Sequence, residues 1–185
     1  MTFRTPGAPH RLLEAAVREF AEHGPGGGRT HRIARLAGVN KQLIHYYFGT
    51  KTGLYDAALA HVADGVAGRL SQLPLVGLTA VERLRRLIVG QFDFLLRHPD
   101  HTTLLLGATA GGNWADLAIR PIADLLRDGQ ATGFFRDDVE AESHARLALL
   151  LTLGYFAARP VAGRWGPPGQ WRDRIAELIV RSCSW

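Results

Sequence analysis

The chain has a single cysteine, Cys183, in 185 residues. A lone cysteine forms no internal disulfide and offers no paired-cysteine zinc site, which fits a reducing compartment. Lysine is nearly as scarce. Lys41 and Lys51 are the only two, so arginine carries most of the positive charge. The four serines, Ser71, Ser143, Ser182 and Ser184, lie outside any nucleophile elbow. No His-Glu-x-x-His occurs, and His61, His98, His101 and His144 are scattered along the chain. These absences predict no enzyme, no metal site and no cofactor. Long apolar runs are also missing. The longest, from Leu147 to Ala158, contains Thr152 and Gly154 and is too short to span a bilayer. The opening MTFRTPGAPHRLLEAA lacks the apolar core of a signal peptide. A soluble, cytoplasmic protein without a membrane partner is expected.

What is present is unevenly placed. Residues 1–51 hold eight Lys or Arg (Arg4, Arg11, Arg18, Arg29, Arg32, Arg35, Lys41, Lys51) against three acids (Glu14, Glu19, Glu22). The remaining chain carries 14 of each sign, so the whole net charge of +5 resides in the first 51 residues. Such a concentration is the electrostatic footprint of a phosphate-binding module. Both lysines flank one short segment within it.

That segment is RTHRIARLAGVNKQLIHYYFGTK, from Arg29 to Lys51. Ile33, Ala34, Leu36 and Ala37 recur at helical spacing. Gly38 can take a positive φ and stop that helix, and Asn40 can cap a second one running from Lys41 to about Tyr47. Two short helices joined by a tight turn form a helix-turn-helix, whose second helix enters the DNA major groove. At 100° per residue, Gln42 and Tyr46 fall opposite Ile44, the residue best suited to burial, with Lys41 and His45 flanking them. Gln pairs bidentately with adenine, and an aromatic edge packs on a thymine methyl. Tyr47 lies partly toward Ile44, so its ring packs while its hydroxyl reaches phosphate, and Phe48 belongs to the core. Lys51 opens the next helix, where a cation opposes the dipole; a phosphate contact would explain it. Thr30 and His31 begin the first of the two helices, where backbone N–H groups and the Thr30 hydroxyl can hold a phosphate.

The preceding GPGGGRT looks superficially like a phosphate loop. It lacks the lysine of GxxxxGK[ST] and follows a helix rather than a strand, so that reading is rejected.

The run AGVNKQLIHYYFGTKTGL resembles the DNA-binding signature of the TetR family of transcriptional regulators, and HRLLEAAVREFAEHG resembles that family's first helix. The resemblance covers roughly residues 10 to 60. His45 stands where the family usually has tyrosine, and PGGGRT replaces a more ordinary apolar-threonine entry. The resemblance implies an all-α protein with an N-terminal three-helix DNA-binding domain over residues 1–50. A helical ligand-binding and dimerisation body over residues 51–185 would follow, giving about nine helices in total. It also implies a homodimeric repressor of a palindromic operator in double-stranded DNA. A small molecule, largely apolar because the body has no net charge, would release it. The predicted DNA-binding residues are Thr30, His31, Lys41, Gln42, His45, Tyr46, Tyr47 and Lys51; no ligand-binding residue is assigned. An architectural DNA-binding protein without a ligand is the alternative, and an all-helical enzyme a remoter one.

The rest of the chain reads as follows. Residues 1–9 form a disordered arm. A helix spans His10 to His23, with Leu13, Ala16, Val17 and Phe20 inward, and Gly24 ends it. Another runs from Lys51 to about Leu73 on Leu54, Ala58, Val62, Val66 and Leu70. Thr79 and Glu82 form a capping box. The helix after it uses Val81, Leu84, Ile88, Phe92 and Leu95, and the next spans Pro99 to Ala110. Pro121 either splits or kinks the stretch from Trp114 to Leu126. Leu147, Leu150, Leu151, Gly154, Tyr155 and Ala158 form one apolar stripe, and Leu149, Leu153 and Phe156 another on the same helix. Trp171, Ile175, Leu178, Ile179 and Ser182 mark the last helix. An apolar surface on two sides of a terminal helix suggests a partner chain. His61, Phe92, Trp114 and Tyr155 are candidates to line a ligand cavity and equally good core residues.

Overall fold

The computed structural model describes residues 7–108, 113–159 and 166–185. Among these there are nine helices and no strand, as the periodicity predicts. They are α1 (Ala8–Gly27), α2 (Thr30–Leu36), α3 (Gln42–Phe48), α4 (Lys51–Ser71), α5 (Ala80–Arg97), α6 (Pro99–Leu106), α7 (Trp114–Ala131), α8 (Ala141–Ala158) and α9 (Pro168–Cys183). Two compact units emerge. The first comprises Met1–Val62 and Pro99–Trp114, the second Ala63–His98 and Ala115–Trp185.

In the first unit α1 packs on α2, α3 and α6. Ala8 and Pro9, predicted to lie in a disordered arm, form its first turn instead; proline suits that position because its missing N–H is unsatisfied there anyway. Residues 1–6 lie outside the described residues. Gly24 breaks the helix at φ 68° as anticipated, but a further turn follows as far as Gly27. The buried stripe is Leu12, Ala15, Ala16, Val17, Glu19 and Phe20. Ala16, Val17 and Phe20 are buried as expected, whereas Leu13 is only partly buried and Leu12 and Ala15 join the inner face. Several helices surround α1, so its apolar face is wider than a single stripe. The loop then passes so close to Phe20 that a Cβ on Gly28 would sit 2.5 Å from the ring. Space, not backbone dihedral, requires glycine there.

Glu19 is the unexpected member of that stripe, 3% exposed. Its Oε1 accepts from the Arg29 backbone N–H at 2.7 Å and from Arg32 Nε at 2.8 Å. Burial opposes ionisation of Glu19. The hydrogen bonds from Arg32 and from the Arg29 backbone, with the Arg32 charge, outweigh it and hold the carboxyl below its usual range.

In the second unit α5 and α8 both pack on α9. Thr79 and Glu82 form the predicted capping box, with Thr79 N–H donating to Glu82 at 2.8 Å and Glu82 N–H to the Thr79 hydroxyl at 3.3 Å. The core includes Leu84, Leu87, Ile88, Phe92, Leu126, Phe135, Ala148 and Ile179. Phe92 packs against Tyr155 and Phe156, each with ring centroids 5.2 Å apart. Pro121 lies inside a single helix, which settles the open alternative at α7. Pro168 already opens α9, earlier than predicted, with Pro167 as its cap. The helix predicted to reach Ala110 ends at Leu106; Ala110 itself lies outside the described residues. α8 is not buried nearly all round. Leu149, Leu153 and Phe156 are inside, whereas Leu147, Leu150 and Gly154 face outward.

Replacing Glu19 with alanine leaves the Arg29 N–H and the Arg32 guanidinium without their acceptor, at a cost of about 2–4 kcal/mol. Because the folded carboxyl titrates below its unfolded value of 4.5, its contribution is complete above that pH and fades as pH falls through the folded value. Denaturant melts of wild type and Glu19→Ala should therefore differ at pH 7 and draw together as pH is lowered below 4.5 through the folded value. An equal gap throughout would refute the assignment.

Candidate nucleic-acid interface

The α2–α3 corner is built from backbone bonds that its sequence prescribes. Gly38 adopts φ 64°. The Val39 N–H donates to the Ala34 carbonyl at 3.0 Å and the Gly38 N–H to the Arg35 carbonyl at 3.1 Å. This pair of bonds is a Schellman motif, which ends α2 and turns the chain. Asn40 Oδ1 then accepts the Gln42 N–H at 2.9 Å, as the sequence suggests for a capping asparagine. At the other end Thr50 Oγ accepts the Gly53 N–H at 3.0 Å and caps α4.

Two side chains from α1 hold the ends of α2. Glu19 meets its N-terminal entry, where no residue of the loop supplies a side-chain cap. Arg11 Nε donates to the Ala37 carbonyl at 3.1 Å at its C-terminal end. An acid at the first end and a cation at the second both complement the helix dipole. Sequence reasoning missed both contacts. The available signal was an acid, Glu19, at a position in register with Leu12, Ala15 and Ala16.

Within α2, Ile33, Ala34 and Ala37 are buried as predicted, but Leu36 is not: it is 60% exposed. Its neighbours in the apolar set occupy the face toward α1, and Leu36 lies about 100° from Ala37 on the wheel.

The rotation of α3 agrees with the sequence. Ile44 is fully buried, and Tyr46 is 78% exposed. Gln42, Lys41 and His45 are also exposed, as is Tyr47 to a lesser degree. Tyr46 and Tyr47 meet edge to face at 4.9 Å, so each restrains the other's ring. Phe48 is only partly buried rather than part of a sealed core. His45 Nδ1 lies 2.9 Å from the Gly49 carbonyl. A carbonyl only accepts, so Nδ1 carries the proton, and a neutral His45 turns an accepting Nε2 outward.

Thr30 is partly buried at the first position of α2, and His31 is exposed beside it. Lys51 Nζ donates to the Gly26 carbonyl at 2.8 Å. This gives the cation at the start of α4 a structural partner the sequence did not reveal. One of its three N–H groups is used; two remain for another acceptor.

The sequence profile of bacterial regulatory proteins of the tetR family matches residues 12–58. The HTH-type transcriptional repressor NicS of Pseudomonas putida is 33% identical over 156 residues, which are 78% of this chain and 73% of that protein. The HTH-type transcriptional repressor SCO4008 of Streptomyces coelicolor is 32% identical over 167 residues, 85% of this chain and 82% of that one. Among solved structures, the transcriptional regulator FadR of Bacillus subtilis, in complex with stearoyl-CoA, superposes with a TM-score of 0.75. It covers 92% of this chain and 97% of its own at 16% identity, a likeness of fold.

Proposed function

The chain belongs to the tetR family of bacterial regulatory proteins and is a DNA-binding transcriptional regulator rather than an enzyme; we propose that it is a cytoplasmic repressor acting as a homodimer on a palindromic operator. Residues 1–50 supply the DNA-binding function and residues 51–185 the regulatory and dimerising one. This functional division differs from the packing, in which α6 and the start of α4 join the first three helices.

The observation that carries the reading is the exposed face of α3 opposite buried Ile44. Gln42 and Tyr46 project from its middle and would read base edges, with Lys41 and His45 beside them. Thr30, His31, Tyr47 and Lys51 would hold phosphates on either side. All the net positive charge of the chain lies in this part of the sequence. No described helix is long and apolar enough to cross a membrane, in keeping with a cytoplasmic DNA-binding protein.

Dimerisation is supported by α8 and α9. Leu147 and Leu150 lie three apart on the outer face of α8, with Leu150 64% exposed, and Leu178 is exposed on α9. Leucines at helical spacing on two helices give a self-complementary face of the kind a two-fold four-helix interface needs.

A small effector is supported by the interior of the second unit. Gln91 is fully buried, and neither of its amide atoms has a hydrogen-bond partner among the described residues. It immediately precedes Phe92, which packs on Tyr155 and Phe156. A ligand with an apolar body and one polar group would satisfy that amide among aromatic rings. The complex of FadR with stearoyl-CoA is in keeping with an effector of apolar character.

Three outcomes test the reading. Gln42→Ala should relax base preference at one operator position, costing about 1–3 kcal/mol there, as read by competition binding against single-base operator variants; an unchanged preference at every position would mean that α3 does not read bases as assigned. Leu150→Glu should convert a dimer to a monomer in sedimentation at micromolar concentration and abolish binding to the full palindrome. A wild-type monomer under those conditions contradicts the dimer. Gln91→Leu should raise thermal stability, by about 1–3 kcal/mol, because it removes an unsatisfied buried amide, while making operator binding insensitive to the effector. A variant that loses stability and keeps the effector response contradicts the role given to Gln91.

A further inference from the structure

Three histidine and glutamate side chains that are dispersed in the sequence converge in the first unit. His10 and Glu14 lie four residues apart on one face of α1, and His61 comes from α4. His61 Nε2 is 2.8 Å from Glu14 Oε1. The His10 and His61 rings meet at 5.4 Å with an interplanar angle of 86°. One ligand atom from each of the three residues lies within 4.8 Å of the others. The fold thus overturns the impression of scattered histidines, because it brings the first turn of α1 beside the middle of α4.

We propose that His10, Glu14 and His61 form a binding site for a divalent transition-metal ion of the Zn2+ class. Two imidazole nitrogens and one carboxylate oxygen suit a borderline ion such as Zn2+, Co2+ or Ni2+, and not Mg2+ or Ca2+, which take oxygen ligands. Metal–ligand bonds of about 2.0–2.2 Å in tetrahedral geometry place donor atoms roughly 3.3–3.6 Å apart. The Glu14–His61 pair, 2.8 Å apart in its hydrogen bond, needs to open only slightly to reach that range, and His10 is exposed and near the helix start, so rotation of its side chain brings its nitrogen in. The Glu14 and His61 side chains are 39% and 23% exposed, which leaves an entry path and room for a water as the fourth ligand. The ion would displace the hydrogen bond between His61 Nε2 and Glu14 Oε1, and His61 would bind it through Nε2 with its ring proton on Nδ1. A metal here joins α1 to α4 by bonds stronger than the single hydrogen bond it displaces.

The competing account is an ordinary His–Glu pair with His10 resting against it. It predicts no stoichiometric metal. The full chain, stripped with a chelator, is titrated with ZnCl2 by calorimetry and with CoCl2 by visible absorption. One ion per chain is expected, with intense four-coordinate Co2+ bands and a rise in melting temperature. His10→Ala and His61→Ala should each weaken the affinity at least tenfold and remove the thermal shift, while His144→Ala, outside the cluster, should leave both unchanged. His10 is exposed, so its replacement tests the site without disturbing the core; circular dichroism confirms that the variant is folded. Absence of saturable binding at one equivalent overturns the proposal. So does binding that His10→Ala and His61→Ala leave intact.

Discussion

The placement of α2 depends on a buried carboxylate. Glu19 is the acceptor for the first backbone N–H of the loop-to-helix junction and for Arg32 on the helix that follows. The two residues before α2, Gly28 and Arg29, supply no capping side chain of their own. Without Glu19 the entry to α2 would have neither a local cap nor a fixed direction. Arg11, eight residues earlier on α1, binds the carbonyl at the other end of α2. Eight helical residues span about 12 Å, close to the length of the short helix they bracket. α1 therefore grips α2 at both poles with charges matching its dipole, and the Schellman turn transmits that fixed orientation to α3.

Much of this was legible in the sequence, and the reason differs from element to element. Gly38, Asn40 and the Thr79–Glu82 box act through bonds to residues two to five positions away, so local spacing reveals them. The rotation of α3 was legible because Ile44 is the one aliphatic residue that its seven positions can bury fully. Leu36 and Leu13 were misread for a different cause. Period gives a stripe's direction, but the width and exact centre of the buried face depend on how many helices surround it, and several surround α1. The partners of Glu19, Lys51 and His61 lie 10 to 47 residues away in sequence. Nothing in local pattern links an acid in α1 to an arginine beyond a glycine loop. The sequence argument for Lys51 found a real anomaly, a cation at a helix start, but could not see that the Gly26 carbonyl answers it.

The two compact units divide the chemistry. The first contains the basic segment of residues 1–51, exposed aromatic and amide side chains, and a corner stiffened by ionic and backbone bonds. The second gathers aromatic rings, an unsatisfied amide and an outward row of leucines. Polar recognition needs fixed donors and acceptors, which short helices held at both ends provide. Binding an apolar molecule or a second copy of the chain needs area, which long helices provide. α4 contributes residues to both units, Lys51–Val62 to the first and Ala63–Ser71 to the second. Any coupling between ligand and DNA must be reciprocal in free energy.

The central claim is that the exposed face of α3, presented twice by a two-fold dimer, recognises double-stranded DNA by sequence. Selection of random double-stranded DNA by the full-length protein, followed by sequencing of what it retains, tests this most directly. The account predicts enrichment of an inverted repeat whose half-sites lie about one helical turn or more apart. Retention without any preferred sequence, or enrichment of one unrepeated element, would contradict it.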